Sequence, residues 1–487
     1  MFSADLEALI GQNFDHRPTL EQQKAIHAWC DFLLSRSTDE LFLLTGYAGT
    51  GKTSLVGAFV RTLRQLSQHV MLLAPTGRAA KVFSLYASAP AYTIHRRIYR
   101  QKSLLDMQTF QPNVNLHKHT LFIVDEASMI ANEGLPGSMF GSGRLLDDLV
   151  HFVYSCEGCR LMLVGDTAQL PPVGEDESPA LSPDVLEGYG LAVRQCNLTD
   201  VVRQLSDSGI LWNATRLRRL VQTSLFDTFP RLRLACFPDI ESISGADLLE
   251  ALEDAYNQCG IDETVVITRS NKRANLFNQG IRGRILDYEE ELTGGDQIMI
   301  ARNNYFWSER NREPGLSEQQ DNMPFIANGD VAMVRRVRHE RDFYGFRFAD
   351  ATLRFPDYDN REMDVTVLLD TLQSEAPALT RTQQDSLFQQ VWDDYPELTD
   401  KRERAKKIRE DIYYNALQIK YSYAVTCHKA QGGQWARVFI DQGYVTEEML
   451  SPDYFRWLYT ALTRATERVF LVNWPEAQTE EAPDTED

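Results

Sequence analysis

The sequence predicts an α/β chain of two parallel-sheet units, the second interrupted by a small β-barrel insertion with a helical projection. Three observations carry this reading. Short, wholly apolar runs recur and each ends in a polar or glycine-rich turn, as buried parallel strands do. A segment of helical period separates the first two runs. The stretch between about residues 283 and 415 switches to the alternating pattern of antiparallel strands.

The first set of runs is Leu41 to Leu44, Val70 to Leu73, Leu121 to Val124 and Leu161 to Val164. Between the first two, Leu55, Phe59, Leu63 and Leu66 recur at helical spacing within Ser54 to Gln68, so the order strand, helix, strand defines a parallel unit. A second set lies at Val265 to Thr268, Tyr423 to Thr426, Val438 to Ile440 and Val469 to Val472. The long gap after its first member marks an insertion. Within it, Gln297 to Ala301, Val331 to Val337, Gly345 to Phe348 and Asp364 to Leu369 are expected strands of a small barrel. From Thr380 to Tyr414 the pattern turns helical. Lys401 to Asp411 holds nine charged residues among eleven, read as a solvated helix face rather than a DNA contact. The resulting division is 1–180 and 181–282 for the first unit and the start of the second, 283–415 for the insertion, 416–475 for the rest of the second unit, and 476–487 for an acidic, disordered tail.

The 487 residues carry 50 Lys and Arg against 69 Asp and Glu, a formal charge of -19, which argues against a histone-like coat but leaves room for a local basic track. No apolar run reaches the 18 residues of a membrane span, and Met1, Phe2, Asp5 and Glu7 do not begin a signal peptide. A cytoplasmic protein without membrane partners is expected. Seven scattered cysteines include one C-x-x-C pair, Cys156 and Cys159, without a second pair at metal-ligand spacing, so ordinary thiols are favoured over a metal site.

Gly46-Tyr-Ala48-Gly49-Thr50-Gly51-Lys52-Thr53-Ser54 follows a strand and opens a helix, the context a phosphate loop requires. Its glycines let backbone amides converge on phosphate oxygens. The helix start adds positive potential, Lys52 reaches the β and γ phosphates, and Thr53 ligates Mg2+. The spacing G-x-x-G-x-G disfavours a dinucleotide fold. Leu121 to Val124 ends in Asp125 and Glu126, candidates for holding the metal and for orienting the attacking water. ATP and Mg2+ are therefore the expected substrate and metal.

Further motifs follow in order: Ala74-Pro-Thr76-Gly-Arg78-Ala-Ala-Lys81, Thr93-Ile-His95, Val164-Gly-Asp166-Thr-Ala-Gln169-Leu-Pro-Pro172-Val-Gly174, Thr426-Cys-His428-Lys429-Ala-Gln431-Gly432 and Tyr459-Thr-Ala-Leu-Thr-Arg464. Together with the two ATP motifs they resemble superfamily 1 helicases over nearly the whole chain, specifically the RecD-like and Dda-like branch. The resemblance implies two RecA-like motor domains and movement 5′ to 3′ on a single strand. By position it implies that Gln22 contacts adenine, although a bland surface glutamine is the competing reading, that Gln169 senses the γ-phosphate, and that Arg203 and Arg464 are arginine fingers. It assigns Thr76, Arg78, Thr93, His95, Thr426 and His428 to DNA. The family usually has Glu where Gln434 stands, so an amide is expected at the ribose and sugar selectivity stays open.

Between Arg96 and Lys118 five bases (Arg96, Arg97, Arg100, Lys102, Lys118) stand against one acid, Asp106, with Tyr99 and Phe110 interleaved, and by resemblance this is a duplex-splitting pin. The implied partners are single-stranded and forked duplex DNA, with other replication or repair proteins possible and no oligomer required. Two other functions fit the same residues: a DNA-stimulated ATPase that remodels protein–DNA complexes, and a nucleotide-gated DNA-binding subunit of a larger repair or recombination complex.

Overall fold

The computed structural model of the chain describes residues 3–103, 106–134, 141–201, 207–312, 323 and 325–480. Its strands in chain order are β1 (Glu40–Gly46), β2 (His69–Ala74), β3 (Ala91–Thr93), β4 (Tyr99–Ser103), β5 (Asp106–Pro112), β6 (Thr120–Val124), β7 (Arg160–Gly165), β8 (Ala192–Leu198) and β9 (Ile240–Ile243). They continue as β10 (Thr264–Thr268), β11 (Gln297–Ile300), β12 (Val331–Phe343), β13 (Phe346–Phe355), β14 (Arg361–Leu368), β15 (Leu417–Tyr421), β16 (Ala424–Thr426), β17 (Trp435–Asp441) and β18 (Ala465–Val472).

Two parallel sheets organise the molecule, in the orders β3-β2-β6-β7-β1-β8 and β16-β10-β17-β18-β9. Every residue of β1 is buried because helices cover both faces of its sheet. Phe42 and Leu44 enter one core with the stacked pair Trp29 and Phe59, while Leu41 and Leu43 enter the core on the opposite face. Such two-sided burial is what makes these strands continuous apolar runs in the sequence.

The edge strand β8 pairs in parallel with β1, which carries the first sheet to Leu198, past the expected boundary at 180. Most of β8 is exposed or half-buried, and its sequence Ala-Val-Arg-Gln-Cys-Asn-Leu lacks the apolar run by which its neighbours are recognised.

The insertion forms a closed barrel of β11 to β15. It is antiparallel except where β14 meets β15, Val367 opposite Leu417 and Leu368 opposite Gln418. Closure thus comes from Leu417–Tyr421, beyond the expected limit at 415. The chain leaves the barrel after β14, builds the helices Arg381–Asp393 and Lys401–Glu410, and returns to close it. On the charged helix, Ile408 is buried with Leu387, Val391 and Phe348, so the projection is fastened by its few apolar residues.

The tail expectation is corrected over its first part. Gln478 is buried, Thr479 bridges to Leu232, and Glu480 pairs with Arg216, so residues 476–480 are docked on the second unit. Residues 481–487 lie outside the described residues. Among the described residues no helix is long and apolar enough to cross a membrane.

Between β3 and β6 the hairpin β4–β5 rises at the expected pin, with residues 104–105 outside the described ones. Its base is anchored by Tyr99, whose phenol donates to Asp148 Oδ2 at 2.7 Å. Arg96 and Arg97 turn back over the ring of Tyr92, 4.8 and 3.7 Å from its centre, so part of the basic cluster is engaged with the sheet unit.

Candidate active site

The C-terminal ends of β1, β6 and β7 lie side by side in the first sheet. In register, Leu44 stands opposite Val164 and Val124 opposite Leu163, so the residues that follow these strands converge. Against them stand the N-terminal ends of β17 and β18 of the second sheet, immediately preceded by Gln434 and Arg464. A cavity of about 420 Å³ occupies this seam, bordered by Gln22, Lys52, Asp125, Glu126, Gln434 and Arg464 among others.

The phosphate loop occupies one wall. Gly49 and Gly51 both have φ of 78°, a left-handed backbone that glycine adopts without strain, and Gly51 precedes the first turn of the helix Lys52–Gln65. Thr50 is buried and its hydroxyl donates to Tyr47 O at 2.8 Å. The Lys52 ammonium donates to Gly46 O and, at 2.9 Å, to Tyr47 O, which holds it above the loop. Thr53 and Ser54 are exposed to the cavity.

Gln22 is buried with both ends of its amide engaged: Oε1 accepts from Thr19 N–H at 3.0 Å and Nε2 donates to Thr50 O at 3.0 Å. It ties the start of the helix Leu20–Leu34 to the loop. That excludes the reading of a bland surface residue.

Asp125 Oδ1 accepts from Glu126 N–H at 2.9 Å, and Oδ2 accepts from the Tyr86 hydroxyl. Burial raises the Asp125 carboxyl above its ordinary range, against the lowering pull of Tyr86, the Glu126 amide and Lys52. Glu126 has a left-handed backbone, φ 52°, a strained conformation that a non-glycine residue keeps only where its surroundings enforce it. Burial raises its carboxyl also, with Arg464 as the main opposing influence and Asp125 adding to the rise.

Mg2+ prefers hard oxygen donors and usually keeps waters and substrate oxygens beside one or two protein ligands. The Thr53 hydroxyl and the Asp125 carboxylate, both at the cavity, fit such a sparse donor set. Among the described residues no cluster of three or more His, Cys, Asp or Glu forms an all-protein metal site.

Gln169 is buried, and its Oε1 has no hydrogen-bond partner, a polar atom that a substrate group would satisfy. Arg464 is 4% exposed, held by Thr460 O at 3.2 Å and Gly433 O at 3.3 Å. Arg203 falls in 202–206, outside the described residues.

The residues expected at DNA follow a common structural rule. Thr76, Thr93 and Thr426 each stand at the N-cap position of a helix that follows β2, β3 or β16, and the side chains of Thr76 and Thr93 close the cap. The hydroxyls of Thr76 and Thr93 accept from Ala79 N–H at 3.2 Å and Arg96 N–H at 3.3 Å, which leaves each O–H as a donor. His428 is exposed. Burial pushes the His95 imidazole down to about 4, so it is neutral at pH 7 and offers hydrogen bonding rather than charge. Arg78 does not stand alone at the surface: its guanidinium stacks 4.0 Å over the Trp435 ring.

Two tyrosines went unassigned in the sequence. Tyr86 reaches Asp125 from the far end of the helix Gly77–Ala87, and Tyr459 enters from the second unit, accepting from Ala48 N–H at 2.9 Å and donating to Asp166 Oδ2 at 2.7 Å. Tyr459 lies within a quoted motif, but no spacing rule links it to a loop 411 positions away.

The sequence family described as AAA domain matches residues 19–223, and the UvrD-like helicase C-terminal domain matches residues 421–472. Uncharacterized protein R530 of Acanthamoeba polyphaga mimivirus is 21% identical over 513 residues, covering 92% of this chain and 98% of that protein. The ATP-dependent RecD2 DNA helicase of Deinococcus radiodurans is 25% identical over 447 residues, 88% of this chain, but the chain spans only 46% of its length. Among solved structures, Pif1 helicase from Bacteroides in complex with ADP-AlF3 and ssDNA aligns over 96% of this chain and 95% of its own, at 15% identity and a TM-score of 0.46. The phosphate loop lies near the head of the AAA-domain match and Arg464 within the UvrD-like match, so the chain joins an AAA domain to a UvrD-like helicase C-terminal domain, and over most of its length it is similar to the RecD2 helicase.

Proposed function

We propose that the chain is an ATP-dependent DNA helicase that translocates 5′ to 3′ on single-stranded DNA and separates the strands of a forked duplex. The single observation that carries this reading is the cavity at the seam between the sheets, with Lys52 and Glu126 on one wall and Arg464 on the other. A nucleotide in such a seam ties the two units together, so binding and hydrolysis alternately close and open the cleft.

Lys52 neutralises charge on the β and γ phosphates, and the amides of Gly49 to Thr53 cradle them. Mg2+, held by Thr53 and Asp125, supplies charge neutralisation at the phosphate oxygens when bound. Glu126 accepts a proton from the attacking water. Gln169 senses the transferred phosphoryl, and Arg464, with Arg203, stabilises its developing charge with a planar guanidinium. Gln434 meets the ribose. Thr76, Arg78, Thr93, His95, Thr426 and His428 grip the strand through contacts blind to base sequence, and the hairpin β4–β5 divides the duplex. Unwinding of a forked duplex by the purified chain with ATP and Mg2+ tests this reading; hydrolysis stimulated by DNA without any strand separation would replace it by the remodelling ATPase.

A further inference from the structure

The phenol of Tyr459 joins three parts of the molecule that lie far apart in sequence. Tyr459 is buried on the helix Pro452–Leu462 of the second unit, yet both hydrogen bonds of its phenol are to the first. Its oxygen accepts the Ala48 N–H of the phosphate loop at 2.9 Å, and its O–H donates to Asp166 Oδ2 at 2.7 Å. Burial together with the neighbouring Asp166 raises the phenol well above its ordinary range, so it stays protonated and keeps that donor role.

Asp166 in turn shapes the loop that carries Gln169. Its Oδ1 accepts from Ala168 N–H at 2.9 Å, and its backbone carbonyl accepts from Gln169 N–H. The same loop is held from the second unit at its next residue, where the Thr460 hydroxyl accepts from Leu170 N–H at 2.9 Å and Gln431 Nε2 donates to Leu170 O at 2.7 Å. A phenylalanine would fill the same buried space. The hydroxyl therefore serves directional bonding, linking phosphate loop, Gln169 loop and the helix that ends beside Arg464.

We propose that Tyr459 is a positioning residue that couples nucleotide occupancy to the grip on single-stranded DNA, a role that rests on the helicase reading above. A phosphate bound by the loop changes the demand on the Ala48 N–H. Through one hydroxyl that change reaches Asp166 and Gln169 on one side and the helix leading to Arg464 on the other, so the loop and the second unit move as one. Without the hydroxyl the same ligands bind, but neither informs the other.

Tyr459→Phe tests this. The readout is the ratio of affinities for an oligo-dT strand with and without a non-hydrolysable ATP analogue, measured by fluorescence anisotropy on the full chain, with melting temperature as a control. In the wild type the ratio is expected to depart from one by about fivefold or more, as linked sites do. In Tyr459→Phe it should fall to near one while each ligand alone binds within about twofold of wild type. DNA-stimulated kcat should drop about tenfold, with the KM for ATP moving less than about threefold. If Tyr459→Phe lowers the melting temperature, Asp166→Asn, which keeps the shape but removes one of the two acceptor oxygens, should give the same loss of coupling, and combining the two should add nothing further. A wild-type ratio of one, or a Tyr459→Phe ratio equal to a wild-type ratio that departs from one, overturns the proposal. Failure of the wild type to bind the analogue at all would count instead against the helicase reading.

Discussion

Arg78 and Trp435 join the two sheets beside the nucleotide cavity: the guanidinium lies 4.0 Å above the indole, and Nη2 donates at 3.0 Å to the carbonyl of Gln434, which borders that cavity. Arg78 belongs to the helix that follows β2, and Trp435 opens β17. Gly433 is packed against the same indole, where an added Cβ would lie 2.4 Å from a ring atom.

Arg78→Ala removes the stack and the hydrogen bond, a loss of about 1–2 kcal/mol for a partly desolvated cation–π pair. Unwinding is expected to fall about tenfold, with hydrolysis falling less, because Lys52, Asp125 and Glu126 are unchanged and only the backbone anchor of Gln434 is lost. Arg78→Lys should recover only part, since an ammonium cannot stack as a plane. Paired unwinding and phosphate-release assays check this, and equal losses in both would move Arg78 into the hydrolytic apparatus.

Lys52→Ala should abolish steady-state ATP hydrolysis, because no other cation among the described residues takes its position over the loop. Binding to single strands should survive and still weaken steeply with added salt, as phosphate contacts require. Near-normal phosphate release from the variant would contradict the assignment of Lys52.

Glu126→Gln keeps the side-chain shape and removes the base, so ATP should bind and turnover collapse. The pH dependence follows from the direction of the shift. Burial raises the Glu126 carboxyl, the base must be ionised to work, and kcat/KM should therefore fall with acid at a higher pH than an ordinary glutamate would set. Arg464 opposes that rise, so in Arg464→Ala the acid limb should move further up while the rate falls. An acid limb unmoved by the loss of Arg464 would separate the two residues.

His95 gives a stability prediction. Its imidazole is pushed down from 6.5 to about 4, so above pH 6.5 it is neutral in folded and unfolded chains alike and its contribution is fully present. As pH falls from 6.5 toward 4, the unfolded chain takes up a proton that the folded one refuses, and stability is lost. His95→Gln should lose less between about pH 7.5 and about pH 5 than the wild type, read from urea midpoints. Parallel losses would show that His95 is solvated.

The two sheets and the phosphate loop were legible because local rules demand their residues: a strand buried on both faces reads Leu-Phe-Leu-Leu, and the left-handed turns at Gly49 and Gly51 call for glycine. The edge strand β8, mostly uncovered, carries no such signature. Barrel closure by Leu417–Tyr421 was hidden because the strand pairs in parallel with β14 only after two intervening helices. The three threonines were recognised through motif order, and their shared position at helix starts after β2, β3 and β16 was legible only in three dimensions. Tyr86 and Tyr459 were missed for the same reason, since their phenols matter through partners 39 and 411 positions away.

The most direct test of the central claim, that ATP turnover in the seam drives strand separation in one direction, compares two partial duplexes of identical sequence, one with a 5′ single-stranded tail and one with a 3′ tail. Direction cannot arise from phosphates, which repeat identically along the strand; it must come from which unit grips when the cleft closes. With ATP and Mg2+ the 5′-tailed duplex should be unwound and the 3′-tailed one left almost intact, with Lys52→Ala inactive on both. Efficient unwinding from the 3′ tail alone, or strand separation that persists in Lys52→Ala, would contradict the account.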